Sequence, residues 1–310
     1  MGTPAFAVPT LRALNEHGEI NITGVVTALD KLGGRGRKEL QESEVKRAAI
    51  ALGLPIMQPK NLKSDDFNRT LRNCNPDLIV VVAFRMLPEK VWSIPRLGTI
   101  NLHASLLPSY RGAAPINWAI INGEVKTGLT TFFIDRTIDT GHIIDQVAMD
   151  ILEEDSAGQL HDRMMVAGAG LTVKTVLAIK NGTFSIKIQD DHKVSKAPKI
   201  FVEDCEIDFS KKAADVYNLI RGLSPYPGAW FTFHDQVLKI YAAKIFNAKL
   251  DLSPGVILSN GSSILLVGTE DYPISLEIVQ LEGRKRMSVG DFLNGFRLNE
   301  SEITAELADQ

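Results

Sequence analysis

The chain has 310 residues, a net charge of −3 and 45% hydrophobic residues. This length is typical of two domains, and 34 Lys and Arg against 37 Asp and Glu exclude a generally basic coat for nucleic acid. No apolar run reaches the roughly 18 residues that a membrane helix needs, and the first residues lack the layout of a signal peptide. We therefore expect a cytoplasmic protein without membrane contact.

The first half of the chain alternates strand-like and helix-like segments. The runs at 22–28 (ITGVVTA), 77–84 (DLIVVVAF), 98–105 (GTINLHAS) and 129–135 (LTTFFID) predict strands, with helical segments such as SEVKRAAIALG and PINWAIINGE between them. The DLIVVV run is apolar on both faces, which is typical of a parallel strand covered by helices on two sides. The pattern predicts a doubly wound α/β domain.

The composition of the sequence changes near residue 190. A polar segment with Pro198 follows and predicts a linker. One helix (AADVYNLIRGL) and many short strand-like runs come next, which is typical of a small barrel or sandwich. We predict a first domain at 1–190, a linker at 191–207 and a second domain at 208–310.

The segment INLHASLLPSYRG at 100–112 contains the side chains best suited to chemistry. In a strand, side chains two residues apart share a face, so Asn101 and His103 point the same way near the strand's carboxyl end. Ligands of open α/β sheets bind outside those ends. The Asn amide can donate to a developing oxyanion and the His can exchange a proton near neutral pH, a combination that suits acyl transfer to an amine.

A histidine base needs an acidic partner, and the next predicted strand supplies one. Asp139 lies in the turn after that strand, again at a carboxyl end, and we favour it over Asp135. The alternatives are an ordinary surface-turn aspartate for Asp139 and a satisfied buried histidine for His103. No G-x-S-x-G motif or nearby cysteine predicts a covalent acyl-enzyme.

Other motifs predict little by themselves. Cys74 and Cys205 lack metal or disulfide spacing, and the histidines lack ligand spacing, so we predict no metal. The loop KLGGRGRK at 31–38 lacks the spacing of a nucleotide-binding motif. Its four positive charges suit either a solvated loop or a polyanion partner.

Several of these segments together resemble the methionyl-tRNA formyltransferase family. They include MGTPAFAVPTL, GGRGRK, LPIMQPKNLK, DLIVVVAFRMLP, INLHASLLPSYRGAAPINWAIINGE, TGLTTFFIDRTIDTGHII, APKIFVEDCEIDFSK, NLIRGLSPYPGAW and KRMSVGDFLNGFRL. The signature N-x-H-x-S-x-L-P with a later D-x-G is shared by folate-dependent formyltransferases. The flanking segments resemble the enzymes whose acceptor is a tRNA.

The resemblance implies an α/β fold with a Rossmann-like doubly wound, mostly parallel sheet, followed by a C-terminal OB-like β-barrel. It implies 10-formyltetrahydrofolate as the formyl donor, initiator methionyl-tRNA as the partner, and a monomer. The implied catalytic residues are Asn101, His103 and Asp139. The implied folate-binding residues are Phe84, Arg85, Met86, Leu87, Pro88, Ser105, Leu106, Leu107, Pro108 and Asp135. The implied tRNA-binding residues are Lys31, Arg35, Arg37, Lys38, Arg284, Lys285 and Arg286.

Two departures from the family pattern add expectations. Family members carry a short apolar strand before MGTP, in the middle of the sheet, so the resemblance predicts either a start upstream of Met1 or a gap in the sheet. The region from Lys196 onward carries 12 Lys and Arg against 16 Asp and Glu, which shifts the expected tRNA contact toward residues 31–38. Another folate-dependent formyltransferase, a formyl-folate hydrolase and a catalytically silent RNA-binding relative are the alternative functions.

Overall fold

The computed structural model describes residues 1–33, 39–248 and 250–304. Its chain divides into two compact units. The first unit comprises Met1–Pro115, Lys126–Asp150 and His161–Ala197; the second comprises Ile116–Val125, Ile151–Leu160 and the chain from Pro198 onward. The domain boundaries predicted from the sequence remain a proposal.

Most of the helices and strands are short, but one helix has 25 residues. The helices are α1 (Val8–Glu16), α2 (Glu44–Ala51), α3 (Asp65–Asn73), α4 (Glu89–Trp92), α5 (Pro115–Ile121), α6 (Ala157–Asn181), α7 (Ala213–Gly222) and α8 (Val289–Gly295). The strands are β1 (Val25–Val26), β2 (Lys31–Gly33), β3 (Glu39–Gln41), β4 (Ile56–Met57), β5 (Ile79–Val82), β6 (Thr99–His103), β7 (Arg111–Gly112), β8 (Lys126–Phe133), β9 (Ile143–Asp150), β10 (Lys196–Ala197), β11 (Ala229–Phe233), β12 (Gln236–Ile245), β13 (Ile257–Ser259), β14 (Leu265–Val267), β15 (Ile274–Leu281) and β16 (Met287–Ser288). Local signals set several boundaries; for example, the Ser43 hydroxyl accepts from the Lys46 N–H and caps α2.

The first unit is built on a mixed sheet in the order β5-β6-β8-β9. β5 and β6 are parallel, as predicted, and their side chains are largely buried. β8 and β9 run antiparallel to their neighbours. A separate parallel pair, β1 with β4, lies on the other side of the first residues of the chain. The α/β fold class is confirmed.

A gap separates β1 from β5. The first two residues bridge it at one end, where the Gly2 N–H donates to Val26 O at 3.0 Å and the Val82 N–H donates to Met1 O at 2.9 Å. Beyond them lies a cavity of about 480 Å³ whose lining includes Val25 and Val80. The sheet is therefore interrupted at the place where the resemblance predicts a central strand.

The second unit is an antiparallel sheet in the order β11-β12-β15-β14-β13, with β16 paired to β15. Register shifts between Ile240 and Ala243 bend β12, as β-bulges do. The concave core contains an aromatic cluster in which Phe233, 1% exposed, contacts Phe231, Phe292 and Phe296. This arrangement agrees with the predicted OB-like domain.

Candidate functional site

Strand β6 places Asn101 and His103 on one face of the first unit's sheet. In the register, Asn101 lies between Val81 of β5 and Phe132 of β8. Leu102 points to the opposite face, where a Cβ on Gly168 of α6 would lie only 2.7 Å from its Cδ2. Close helix packing on that face leaves the other face for the two polar side chains.

His103 is a buried side chain with two different neighbours at its ring nitrogens. Only 6% of the residue is exposed. Its Nε2 lies 2.9 Å from the Tyr110 carbonyl oxygen, which can only accept, so Nε2 carries the hydrogen. Its Nδ1 lies 3.7 Å from Asp139 Oδ2, a separation too long for a hydrogen bond. Among the described residues, Nδ1 thus has the Asp139 carboxylate nearby but no hydrogen bond.

Asp139 lies near His103, but not because β6 and β8 end at the same edge of the sheet, as the sequence suggests. β8 is antiparallel to β6, with Phe133 opposite Ile100 and Thr130 opposite His103, so the carboxyl end of β8 lies beside the start of β6. The turn after β8 returns toward His103, and there the Gly112 N–H donates to Asp139 Oδ2 at 2.9 Å. The carboxylate is 11% exposed.

Gln189 holds the Asp139 turn from the outside. Its side-chain Nε2 donates to Asp139 O at 2.9 Å and to Gly141 O at 2.8 Å. Its Oε1 accepts from the Arg111 guanidinium at 2.8 and 3.0 Å. Asp139 adopts φ +57, a left-handed conformation that needs external support in a non-glycine residue. The buried amide supplies this support.

The loop after β6 is fixed by one buried hydroxyl. Thr130, fully buried, donates to Ser105 O at 2.7 Å and accepts from the Leu107 N–H at 3.1 Å. Gln146 also donates to this hydroxyl and to Leu107 O, at 2.9 and 3.0 Å. Ser105 is itself fully buried and donates to Ser109 O. Residues 105–108 therefore form a rigid wall next to His103.

The segment after β5 forms a second loop near the same edge. Leu87 is buried and Phe84 packs on its cluster together with Ile134, which follows β8. The Arg85 guanidinium donates to the carbonyls of residues 59 and 60. Met86 is 67% exposed and Pro88 precedes α4. The loops after β5 and β8 thus lie side by side.

The Asp135 carboxylate accepts hydrogen bonds from residues of its own loop. Its Oδ1 accepts from the Thr137 N–H at 2.9 Å and from the Thr140 hydroxyl at 2.8 Å. A further contact, between Arg136 and Glu89 at 3.0 Å, joins this loop to the start of α4. Asp135 therefore shapes the turn that positions Asp139.

The predicted tRNA-binding residues lie away from this cluster in the sequence. Lys31 is exposed on β2 of the first unit. Arg284, Lys285 and Arg286 are exposed on the turn between β15 and β16 of the second unit. Arg35, Arg37 and Lys38 lie outside the described residues.

Sequence reasoning missed three residues of the site, Gln189, Arg111 and Thr130. Arg111 belongs to the quoted SYRG segment, but nothing there indicated a partner. Gln189 lies in a polar stretch without periodicity, which gives no sign of a structural role. Thr130 lies in an apolar strand, where threonine is common because it favours β-structure. Only the hydrogen-bond partners show their roles.

Two further findings concern the part of the chain that the structure describes. No group of three His, Cys, Asp or Glu side chains there is placed to hold a metal ion. No helix in the same residues has the length and apolar character to cross a membrane.

The comparisons with known proteins identify the family. The formyl transferase model matches residues 1–176, and the formyl transferase C-terminal domain model matches 199–297. The methionyl-tRNA formyltransferase of Azobacteroides pseudotrichonymphae is 50% identical over 306 residues, which cover 95% of this chain and 94% of that protein. That of Bacteroides thetaiotaomicron is 47% identical over 310 residues, 97% of this chain and 95% of that protein. The chain belongs to the methionyl-tRNA formyltransferase family.

Solved structures of formyltransferases share the fold at lower identity. An N-formyltransferase from Helicobacter canadensis, in complex with folinic acid and dTDP-3-aminofucose, has a TM-score of 0.66 at 20% identity, covering 89% of this chain and 96% of that one. WlaRD, a sugar 3N-formyl transferase in the presence of dTDP and 5-N-formyl-THF, has a TM-score of 0.67 at 20% identity, covering 92% and 97%. These likenesses show the fold alone.

Thr130→Val tests the buried hydroxyl. Valine keeps the shape but leaves the Ser105 carbonyl and the Leu107 N–H without this partner, so the free energy of unfolding should fall by about 1–3 kcal/mol. Urea denaturation measures it. Thr232→Val, on an exposed position of β11, is the control and should change stability little. Equal stability of the two variants would contradict the role.

Gln189→Ala tests the support of the Asp139 turn. Amide exchange at 134–142 should accelerate because the turn loses two hydrogen bonds. Formyl transfer should slow by about 10- to 100-fold, because small displacements in an active site cost that much. Hydrogen exchange and turnover with its pH profile are the measurements. Gln189→Glu keeps an oxygen that accepts from Arg111 but lacks the N–H groups that donate to Asp139 O and Gly141 O. It should therefore behave like Gln189→Ala. Wild-type exchange and turnover in Gln189→Glu would refute the role of these two hydrogen bonds.

Proposed function

We propose that this protein transfers a formyl group from 10-formyltetrahydrofolate to the α-amino group of initiator methionyl-tRNA. The observation that supports the proposal is the 3.7 Å separation of His103 Nδ1 and Asp139 Oδ2, with Asn101 two residues before His103 on the same face of β6. Relatives named methionyl-tRNA formyltransferase at 47–50% identity over nearly the whole chain support the choice of acceptor.

In the proposed reaction, the amine nitrogen attacks the formyl carbon directly. A tetrahedral oxyanion forms, and the Asn101 amide donates a hydrogen bond to it. The bond from that carbon to N10 then breaks, so the amine gains the formyl group and N10 takes a proton. No covalent intermediate on the protein is needed.

His103 is proposed to transfer the proton. Because Tyr110 O occupies Nε2, the nitrogen left to accept the amine proton is Nδ1. Asp139 Oδ2 lies 3.7 Å from Nδ1, and its negative charge would stabilise the resulting imidazolium. The proton then passes to the departing N10. This geometry favours His103 as the base over His103 as an oxyanion donor.

The loops at 84–88 and 105–108 are the proposed folate walls, with Asp135 shaping the third side. The donor carries flat rings, which need apolar surface beside a few polar groups. Exposed Met86 on the first loop and exposed Ile138 on the turn after β8 provide such surface. Because the backbone of 105–108 is already held by hydrogen bonds, little conformational entropy of this loop is lost when the folate binds.

The proposed partner is the tRNA, with no membrane contact, for a monomeric cytoplasmic enzyme. Its negative backbone would meet the residues Lys31, Arg35, Arg37, Lys38, Arg284, Lys285 and Arg286. A sugar formyltransferase is the second candidate, since solved enzymes of that kind share the fold. The identity to those structures is only 20%, so the tRNA acceptor is favoured.

The test of the function is incubation with 10-formyltetrahydrofolate and methionyl-tRNA, followed by deacylation and detection of formyl-methionine. We expect formyl-methionine, and no product from glycinamide ribonucleotide offered as a competing acceptor. Formylation of the ribonucleotide alone, or loss of the formyl group to water without an acceptor, would reject the proposal in favour of a sibling enzyme.

Asn101→Ala tests the oxyanion donor. Loss of one such donor typically lowers the rate by about 10²- to 10³-fold, and we expect that loss in kcat with little change in the KM for the folate. Asn73→Ala, at the exposed end of α3, is the matched control with wild-type kinetics. Near-normal turnover of Asn101→Ala would remove Asn101 from the mechanism.

A further inference from the structure

Tyr226 has the most exposed large apolar or aromatic side chain among the described residues, at 82%. It lies in the loop between α7 and β11 of the second unit. The ring makes no hydrogen bond or ring contact with another described residue. Other aromatic rings of this unit, such as Phe231 and Phe233, are buried against each other. The fold therefore does not use the Tyr226 ring for packing.

The backbone on both sides of Tyr226 is held by hydrogen bonds. Arg286 donates to Pro225 O at 2.5 Å, and Lys239 donates to Pro227 O at 2.9 Å. The Gly158 N–H donates to Ser224 O at 3.0 Å. The loop therefore holds the ring in solvent in a fixed position. Because the loop is already ordered, binding a ligand on the ring costs little conformational entropy.

One turn with three cations contacts this loop. The Arg286 guanidinium, which contacts Pro225, also lies 3.5 Å from the centre of the Tyr241 ring, a cation–π contact that holds the turn 284–286 beside Tyr226. Arg284 and Lys285 are exposed on that same turn. Within the described residues no carboxylate pairs with any of these three cations. The charges of Arg284 and Lys285 are therefore available to an anion, and Arg286 holds the turn.

We propose that Tyr226 and the turn 284–286 form a contact surface for an unpaired nucleotide of tRNA. The tyrosine ring would stack on the base, and the cations would meet the neighbouring phosphates. An exposed aromatic ring beside cations is the combination by which proteins bind single-stranded nucleic acid without reading its sequence. The inference rests on the proposed function, because the RNA would be the methionyl-tRNA substrate.

The experiment measures the Kd of the full chain for uncharged initiator tRNA without a formyl donor, at several salt concentrations. Tyr226→Ala should raise the Kd by roughly 5- to 150-fold, the range for loss of one stacked base. Tyr226→Phe keeps the ring and should bind like the wild type. Lys285→Ala should reduce the slope of log Kd against log salt by roughly 0.7–0.9 for one phosphate.

Tyr272→Ala is the matched control. Tyr272 is a tyrosine of the same unit, 41% exposed, but it follows Asp271 instead of basic residues. Its substitution should leave the Kd unchanged. An unchanged Kd in Tyr226→Ala would overturn the proposal, and equal losses in the Ala and Phe variants of Tyr226 would overturn stacking.

Kinetics separate this proposal from the function itself. Tyr226→Ala should raise the KM for methionyl-tRNA while leaving kcat and the KM for the folate near wild type. If the wild type formylates methionyl-tRNA but Tyr226→Ala has an unchanged KM, only the surface is refuted. If the wild type binds tRNA through Tyr226 but transfers no formyl group, only the proposed function is refuted.

Discussion

The structure of the candidate site depends on one constraint, that a polar group removed from water must find a hydrogen-bond partner. His103 is almost fully buried, and its Nε2 meets the Tyr110 carbonyl. That contact places the hydrogen of the neutral ring on Nε2 and leaves Nδ1 facing Asp139. The neighbouring carboxylate of Asp139 is held by the Gly112 N–H. Each hydrogen bond of the site therefore limits the position of the next group, as in other buried polar networks.

The antiparallel direction of β8 determines where the loop that carries Asp139 lies in the candidate site. A parallel strand would end at the same edge as β6, and its following loop would leave the sheet there. Because β8 is antiparallel, the chain must return from the far end, and this return places Asp139 beside His103. The same strand contributes Thr130, whose hydroxyl joins the loop after β6. One strand thus supports two of the loops around His103.

In the second unit, the aromatic core and the exposed positive charges lie on different elements. Its rings are concentrated in the core around Phe233, where they contact one another edge to face. Its overall charge is acidic, so a polyanion would meet only local positive surface. The turn 284–286 provides such a surface because Arg286 is tied to Tyr241 and Pro225. A small number of fixed cations can orient a partner without a generally basic domain.

Much of this protein was predictable from its sequence, and the reasons are local. Alternation of apolar runs predicted β5, β6 and β8, and the period of a strand put Asn101 and His103 on one face. The family motifs predicted the formyl transferase fold, and the comparisons confirm it. Tertiary structure decided the direction of β8, the Nε2 contact of His103 and the support of Asp139 by Gln189. These depend on contacts between residues such as Asp139 and Gln189, 50 positions apart, and no local pattern of side chains records which distant donor a buried acceptor will meet.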